Sequence, residues 1–243
     1  MKRLALIAAL LSSLTVPVFP QETSIAKADK LFAGRDNLEN LKQAVSLMED
    51  RTKREPSNFD GFWRLARFKF YLADHEKDDS RKGKLLQAAM DAGKKAVELD
   101  SGRVEGHFWL AAATGEYADL KGALQSLTLV KTVRREFEAA LVINPSYENG
   151  DVYSALGQID LNLPKLLGGN ERRGLERLET GLKVGANNSD LKVTLAEYYV
   201  KKGRNAEARA LLESVLSATD PARSPLEQED LRAKARRLLE KLK

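Results

Sequence analysis

His75 and His107 are the chain's two imidazoles, and it contains no cysteine. Thiol chemistry, disulfides and cysteine-held metals are therefore excluded. Two isolated histidines do not make a zinc site. His107 lies in the run GHFWLAAA, two residues before Trp109. As a general base it needs an oriented partner within hydrogen-bond reach, and Glu105 and Glu116 are near it only in sequence. The alternative is that His107 takes the place of a packing aromatic. His75 stands among charged residues and reads as solvated. The run LPKLLGGN, from Leu163 to Asn170, precedes a helix start, where backbone N–H groups can hold an anion. No strand precedes it, and the G-x-x-x-x-G-K-[ST] pattern is missing, so a P-loop is excluded. It reads as a tight turn, yet Leu163, Leu166 and Leu167 are costly to expose together. They would be spared by closing over a ligand or partner. Trp63, Phe68, Phe70 and Tyr71 form one aromatic cluster, and Phe108, Trp109 and Tyr117 a second. Most such rings fill a core, and any that face a groove can anchor a peptide or apolar ligand. The candidate partner- or ligand-binding residues are Trp63, Phe70, His107, Trp109, Tyr117, Leu166 and Leu167. No Ser-His-Asp order, metal motif or paired catalytic carboxylates stand out. The chain is expected to be no enzyme and to carry no cofactor.

These residues must be positioned by helices. Lys192 to Pro221 carries Leu195, Ala196 and Tyr199 on one helical face, a turn at Gly203, then Ala208 and Leu212 four apart, and Asp220-Pro221 at the close. That is the tetratricopeptide pattern, in which small residues let two antiparallel helices approach and large ones fill between them. Earlier units match it less cleanly: Phe62-x2-Leu65-Ala66, His107-x2-Leu110-Ala111 and Tyr153-x2-Leu156-Gly157 open them. Their second helices carry Ala89-x3-Gly93, Val133-x3-Phe137 and Gly174-x3-Leu178. The pattern predicts a partial repeat over 24–56, repeats over 58–101, 102–145, 148–186 and 188–221, and a capping helix over 226–242. Leu226, Leu231, Ala235, Leu238 and Leu239 make that last helix's apolar stripe. The units close at Pro56, Ser101, Pro145, Ala186 and Asp220; the first three intervals between these positions exceed the usual period of roughly 34 residues, and the excess falls mainly between the two helices of each unit. Such insertions collect on one face of a solenoid, often the binding face. The expected fold is all-α: a right-handed helical-repeat superhelix, a tetratricopeptide-like α-solenoid closed by a capping helix.

Residues 1–20, MKRLALIAALLSSLTVPVFP, read as an export signal with Lys2 and Arg3 ahead of an apolar run, too short for an ordinary span. An uncleaved anchor is the alternative. Export makes the chain periplasmic or secreted. The formal charge of +5 on 243 residues is a weak argument for an anionic partner, and nucleic acid is not expected.

Gly106 to Leu182 is more specific than a generic repeat. Gly106-His107-Phe108-Trp109-Leu110-Ala111, Lys131 and Glu136 in a long helix, Asn144-Pro145, Leu156-Gly157, Leu163-Pro164 and Gly168-Gly169 resemble bacterial periplasmic tetratricopeptide proteins similar to the T-component of TRAP-type transporters. Eukaryotic regulators of microtubule dynamics carry a related arrangement, and the bacterial-type leader argues against that branch. The bacterial resemblance implies a helical body outside the cytoplasmic membrane and association with a periplasmic substrate-binding protein. It also implies a cavity that takes an apolar small ligand. The chain departs from transporter components in being short and lacking a lipoprotein cysteine. The primary expectation is a protein-binding scaffold acting through its concave groove. The alternative is a transporter-associated carrier of an apolar ligand.

Overall fold

The computed structural model describes residues 23–122 and 127–242. The leader lies outside them. Eleven α-helices occur among the described residues: α1 Ser24–Ala33, α2 Leu38–Arg54, α3 Phe59–Asp74, α4 Asp79–Leu99, α5 Val104–Lys121, α6 Leu127–Ile143, α7 Asp151–Asn162, α8 Glu171–Val184, α9 Ser189–Lys201, α10 Asn205–Ser217 and α11 Pro225–Glu240. They pack as successive pairs, α1 with α2 through α9 with α10, and α11 lies on the last pair. The fold is an all-α helical-repeat solenoid.

Local chemistry explains where the helices begin. Asn37, Asn58, Asp78, Asn170 and Asn188 each precede a helix and accept a hydrogen bond from an N–H of its first turn. Such caps satisfy donors that the helix itself cannot. The α6–α7 connection is different. Glu148, Asn149 and Gly150 follow one another at φ of 46°, 57° and 82°, the left-handed region that costs any residue with a Cβ. Arg67 pairs with Glu148 at 3.2 Å. The Asn149 carbonyl accepts from Asn188 at 2.9 Å, and its side chain donates to Asp220 at 3.2 Å. Neighbouring repeats thus hold this turn in place.

The inserted sequence mostly lengthens helices. α4 has 21 residues and α5 has 18, against 13 each for α9 and α10. Residues 72–84, LADHEKDDSRKGK, extend α3 and α4 and leave only residues 75–78 outside helices, so this insertion is a helix extension with a short loop. The 163–170 segment does protrude. Gly93 and Gly157 sit where helices approach closely: a Cβ on Gly93 would lie 2.9 Å from the Leu110 Cα, and one on Gly157 2.7 Å from a Leu178 methyl.

α11 departs most from expectation. Its second half packs as foreseen, with Ala235 buried and Leu231, Leu238 and Leu239 partly so. Leu226 is exposed, because the first half leaves the stack and reaches the α1–α2 turn. There Arg35 donates to Glu227 at 2.8 Å through both Nε and a terminal nitrogen. Asp36 accepts from the Ser224 hydroxyl and from the Leu226 N–H. The two ends of the solenoid meet.

Candidate binding groove

α3, α5 and α7, the first helices of three pairs, turn the same face inward, and the start of α11 crosses opposite them. Between them lies a cavity of about 630 Å³, within the size range of ligand pockets. Its floor is aromatic because α3 and α5 each carry adjacent large rings. Phe70 and Tyr71 meet edge to face at 5.5 Å, Phe70 lies 5.8 Å from Trp109, and Phe108 meets Phe137 at 5.5 Å. Trp109 Nε1 donates to the Tyr147 hydroxyl at 3.0 Å, so the indole's polar atom is satisfied. Behind the floor, the Arg67 guanidinium lies 4.5 Å from the Phe32 centroid and 5.1 Å from that of Trp109. Ala155 and Ile159 on α7 and Leu231 on α11 make the facing wall.

The cavity is also charged. Arg223 donates to both oxygens of Asp151 at 2.7 Å. Burial pushes the Asp151 carboxyl up to about 6, with Arg223 pulling it down and Asp190 adding to the rise. Burial likewise raises the Tyr71 phenol to about 12. These groups hold the walls in register.

The structure separates the seven residues singled out in the sequence. Phe70 and Trp109 line the cavity. Trp63 is buried away from it, its indole N–H on Asp60 at 3.1 Å and its ring under Arg64. His107 projects from α5 toward α6, between Glu136 at 2.7 Å and the Ser101 carbonyl at 3.0 Å. Tyr117 faces α4, beside Gly83. Leu166 is 98 % exposed and Leu167 45 %. Their loop is tied down by Arg134 and Arg173, which donate to the Gly168 carbonyl. At the start of α8 the Asn170 side chain accepts from the Arg173 N–H, and Arg134 and Arg173 are both held by Asp160. Sequence reasoning passed over Arg223, Glu227 and Asp230, and took Leu231 only as part of the α11 packing stripe. The Ser224-to-Glu227 capping box marks where α11 starts, but nothing local says that it lands on a turn some 190 positions earlier. Among the described residues no group of three or more His, Asp or Glu side chains is arranged to hold a metal. None of their helices is long and apolar enough to cross a membrane.

Paired helices stacked around an inner groove define a tetratricopeptide-type repeat protein. Solved structures share that fold: a thermophilic tetratricopeptide protein of Thermus thermophilus, at 21 % identity and a TM-score of 0.65, covers 89 % of this chain and 97 % of its own. MamA, at 19 % identity and a TM-score of 0.51, covers 85 % and 96 %. PilF of Pseudomonas aeruginosa, at 18 % and 0.51, covers 90 % and 91 %. Within this class the chain belongs to the regulator of microtubule dynamics protein 1-3 family, whose model matches residues 24–158. The expectation that set this family aside is thereby corrected: the leader lies outside the matched span, and the match rests on α1 to α7. Regulator of microtubule dynamics protein 1 of Mus musculus is 25 % identical over 122 residues, 49 % of this chain and 40 % of its own length. The Bos taurus protein is 26 % identical over 129 residues, 53 % and 39 %. The chain thus spans about two fifths of the length of these curated relatives.

Proposed function

We propose that this protein is an interaction scaffold that seats a segment of a partner protein in the groove beneath α11. The cavity of about 630 Å³ over Phe70, Tyr71 and Trp109 is the observation that carries the reading. A concave site with an aromatic floor and a few placed charges is the common form of a recognition pocket. The role is non-enzymatic, and the leader assigns it to the periplasm or the exterior. An exported chain does not meet microtubules, so we carry over the family's helical body and not the role in its name. A periplasmic substrate-binding protein is one partner that suits this setting. A photo-reactive amino acid at Ala112, inside the groove, should cross-link a partner in the cell envelope. The same group at Lys94, on the exposed side of α4, should not. Equal yields at both positions would sink the groove reading. Protein N-terminal sequencing from the envelope fraction tests export, and an uncleaved Met1 in the cytoplasmic fraction would count against it.

The second reading, a transporter-associated carrier of an apolar ligand, is favoured by the way α11 partly roofs the aromatic floor. Native mass spectrometry of gently purified protein separates the two. A small apolar adduct supports the carrier, and a co-purified chain supports the scaffold.

A further inference from the structure

The groove reading leaves its occupant unspecified, and the charge around the groove narrows it. Of the carboxylates along the cavity, Asp151 is held by Arg223, Glu227 by Arg35 and Glu116 by Lys82 at 2.6 Å, while Asp190 accepts from Ser154. Asp74, Asp119 and Asp230 stand exposed at the rim, and their carboxylates make no hydrogen bond or ion pair among the described residues, although Lys82, bound to Glu116, also acts on Asp74 from a distance. Among those residues the sole cation lining the cavity, Arg223, is already committed to Asp151. Burial, with Glu116 adding to it, raises the Asp119 carboxyl, as fits an acid without a cation beside it. A separate feature has the same sign. α3, α5 and α7 all end at this rim, at Asp74, Lys121 and Asn162, and helix C-termini present partial negative charge, which at α5 the exposed Lys121 ammonium, 5.2 Å from the Tyr117 ring, offsets. This negative rim belongs to a chain of formal charge +5, so it does not follow from composition.

Resting on the groove reading, we propose that the occupant is a basic amphipathic peptide segment: apolar side chains on the Phe70–Trp109 floor, lysine or arginine at Asp74, Asp119 and Asp230. The aromatic faces suit that chemistry as well, since they attract cations. A fatty carboxylate suits it poorly, because its head group would meet three unpaired carboxylates and three helix C-termini.

The test titrates the full chain with three fluorescent probes: an amphipathic leucine–lysine peptide, its leucine–glutamate counterpart, and a labelled fatty acid. Two variants accompany the wild type. Asp74→Asn, Asp119→Asn and Asp230→Asn together remove the rim charge. Ala155→Trp fills the cavity from α7. Unchanged melting temperatures establish that both variants fold. The lysine peptide should bind the wild type, lose about tenfold in affinity with the triple variant, weaken as salt is raised and be displaced by Ala155→Trp. Equal affinity for wild type and triple variant overturns the inference. Tighter binding of the glutamate peptide or the fatty acid, blocked by Ala155→Trp, also overturns it and leaves the groove reading standing. Probe binding that Ala155→Trp does not reduce overturns the groove reading itself.

Discussion

Glu136 lies 2.7 Å from one nitrogen of His107, and the Ser101 carbonyl lies 3.0 Å from the other. Glu136 reaches the ring from α6 and Ser101 from the turn before α5, so the imidazole packs where a repeat aromatic would and adds a polar tie. His107→Leu should cost about 2 kcal/mol, because a buried carboxylate loses a bond of the charged kind. It should leave groove binding unchanged. Urea unfolding checks the first expectation and peptide titration the second; a binding loss at equal stability would return His107 to the list of functional residues. Asp160 is the larger case. Its side chain is fully buried and takes Arg134, Arg173 and Arg177 at 2.6–2.8 Å. Burial opposes its ionisation, but the hydrogen bonds from Arg173 and Arg134 outweigh that and lower its pKa. A carboxyl whose folded pKa lies below its unfolded one stabilises the fold above the unfolded value. That contribution fades as pH falls from about 4 through the folded pKa. Asp160→Asn should cost about 3 kcal/mol near neutrality, since three guanidinium groups lose a shared buried partner. The deficit should shrink on acidification, and urea midpoints measured across that range would show it. A deficit independent of pH would mean that Asp160 acts through shape and not charge.

The helices themselves were largely legible, and for stated reasons. Small residues at the crossings and punctuation at Pro145, Gly203 and Pro221 act within a few residues of where they stand. Gly93 is the exception: the matching positions of the later units hold Phe137, Leu178 and Leu212, and the structure shows why this one is small, with Leu110 backbone atoms within 3.0 Å of any added Cβ. Gly93→Ala should therefore lower stability by about 1–3 kcal/mol despite the better helix propensity of alanine. Thermal melts would check it, and a stabilised variant would mean that α5 can shift away. Sorting the aromatics was beyond periodicity. Trp63 and Phe70 lie seven apart on α3, yet one is sealed against Asp60 and Arg64 and the other lines the groove. Which face looks inward depends on neighbouring pairs. The left-handed turn at Glu148 to Gly150 was likewise hidden, because Arg67, Asn188 and Asp220, which hold it, come from other repeats.

At the scale of the molecule, two cores meet at the α7–α8 crossing. One runs from Ala28 to Leu156 and the other from Leu178 to Ala235. The family match over 24–158 covers the first of them. What the second adds is α11, which returns to the α1–α2 turn and roofs the groove. A solenoid of this kind takes its shape from small rotations between neighbouring pairs, each of which contacts mainly the next. Its ends are therefore easily displaced unless something joins them. Arg35 with Glu227, and Asp36 with Ser224 and Leu226, supply the joint. Arg35 is nearly buried, so screening by salt should weaken the joint little. Reversing one charge should break it: Glu227→Lys sets two cations against each other where a bidentate pair stood. The missing cysteines make this measurable. Spin labels at Lys30→Cys on α1 and Glu229→Cys on α11 attach nowhere else. The wild-type background should give one narrow distance distribution, and Glu227→Lys a broader, longer one with helicity retained. Binding of the lysine peptide should then quicken if α11 limits entry to the groove. A distribution unmoved by Glu227→Lys would mean that packing of Leu231 to Leu239 on α9 and α10 alone sets the position of α11, and that the clasp follows the fold instead of closing it.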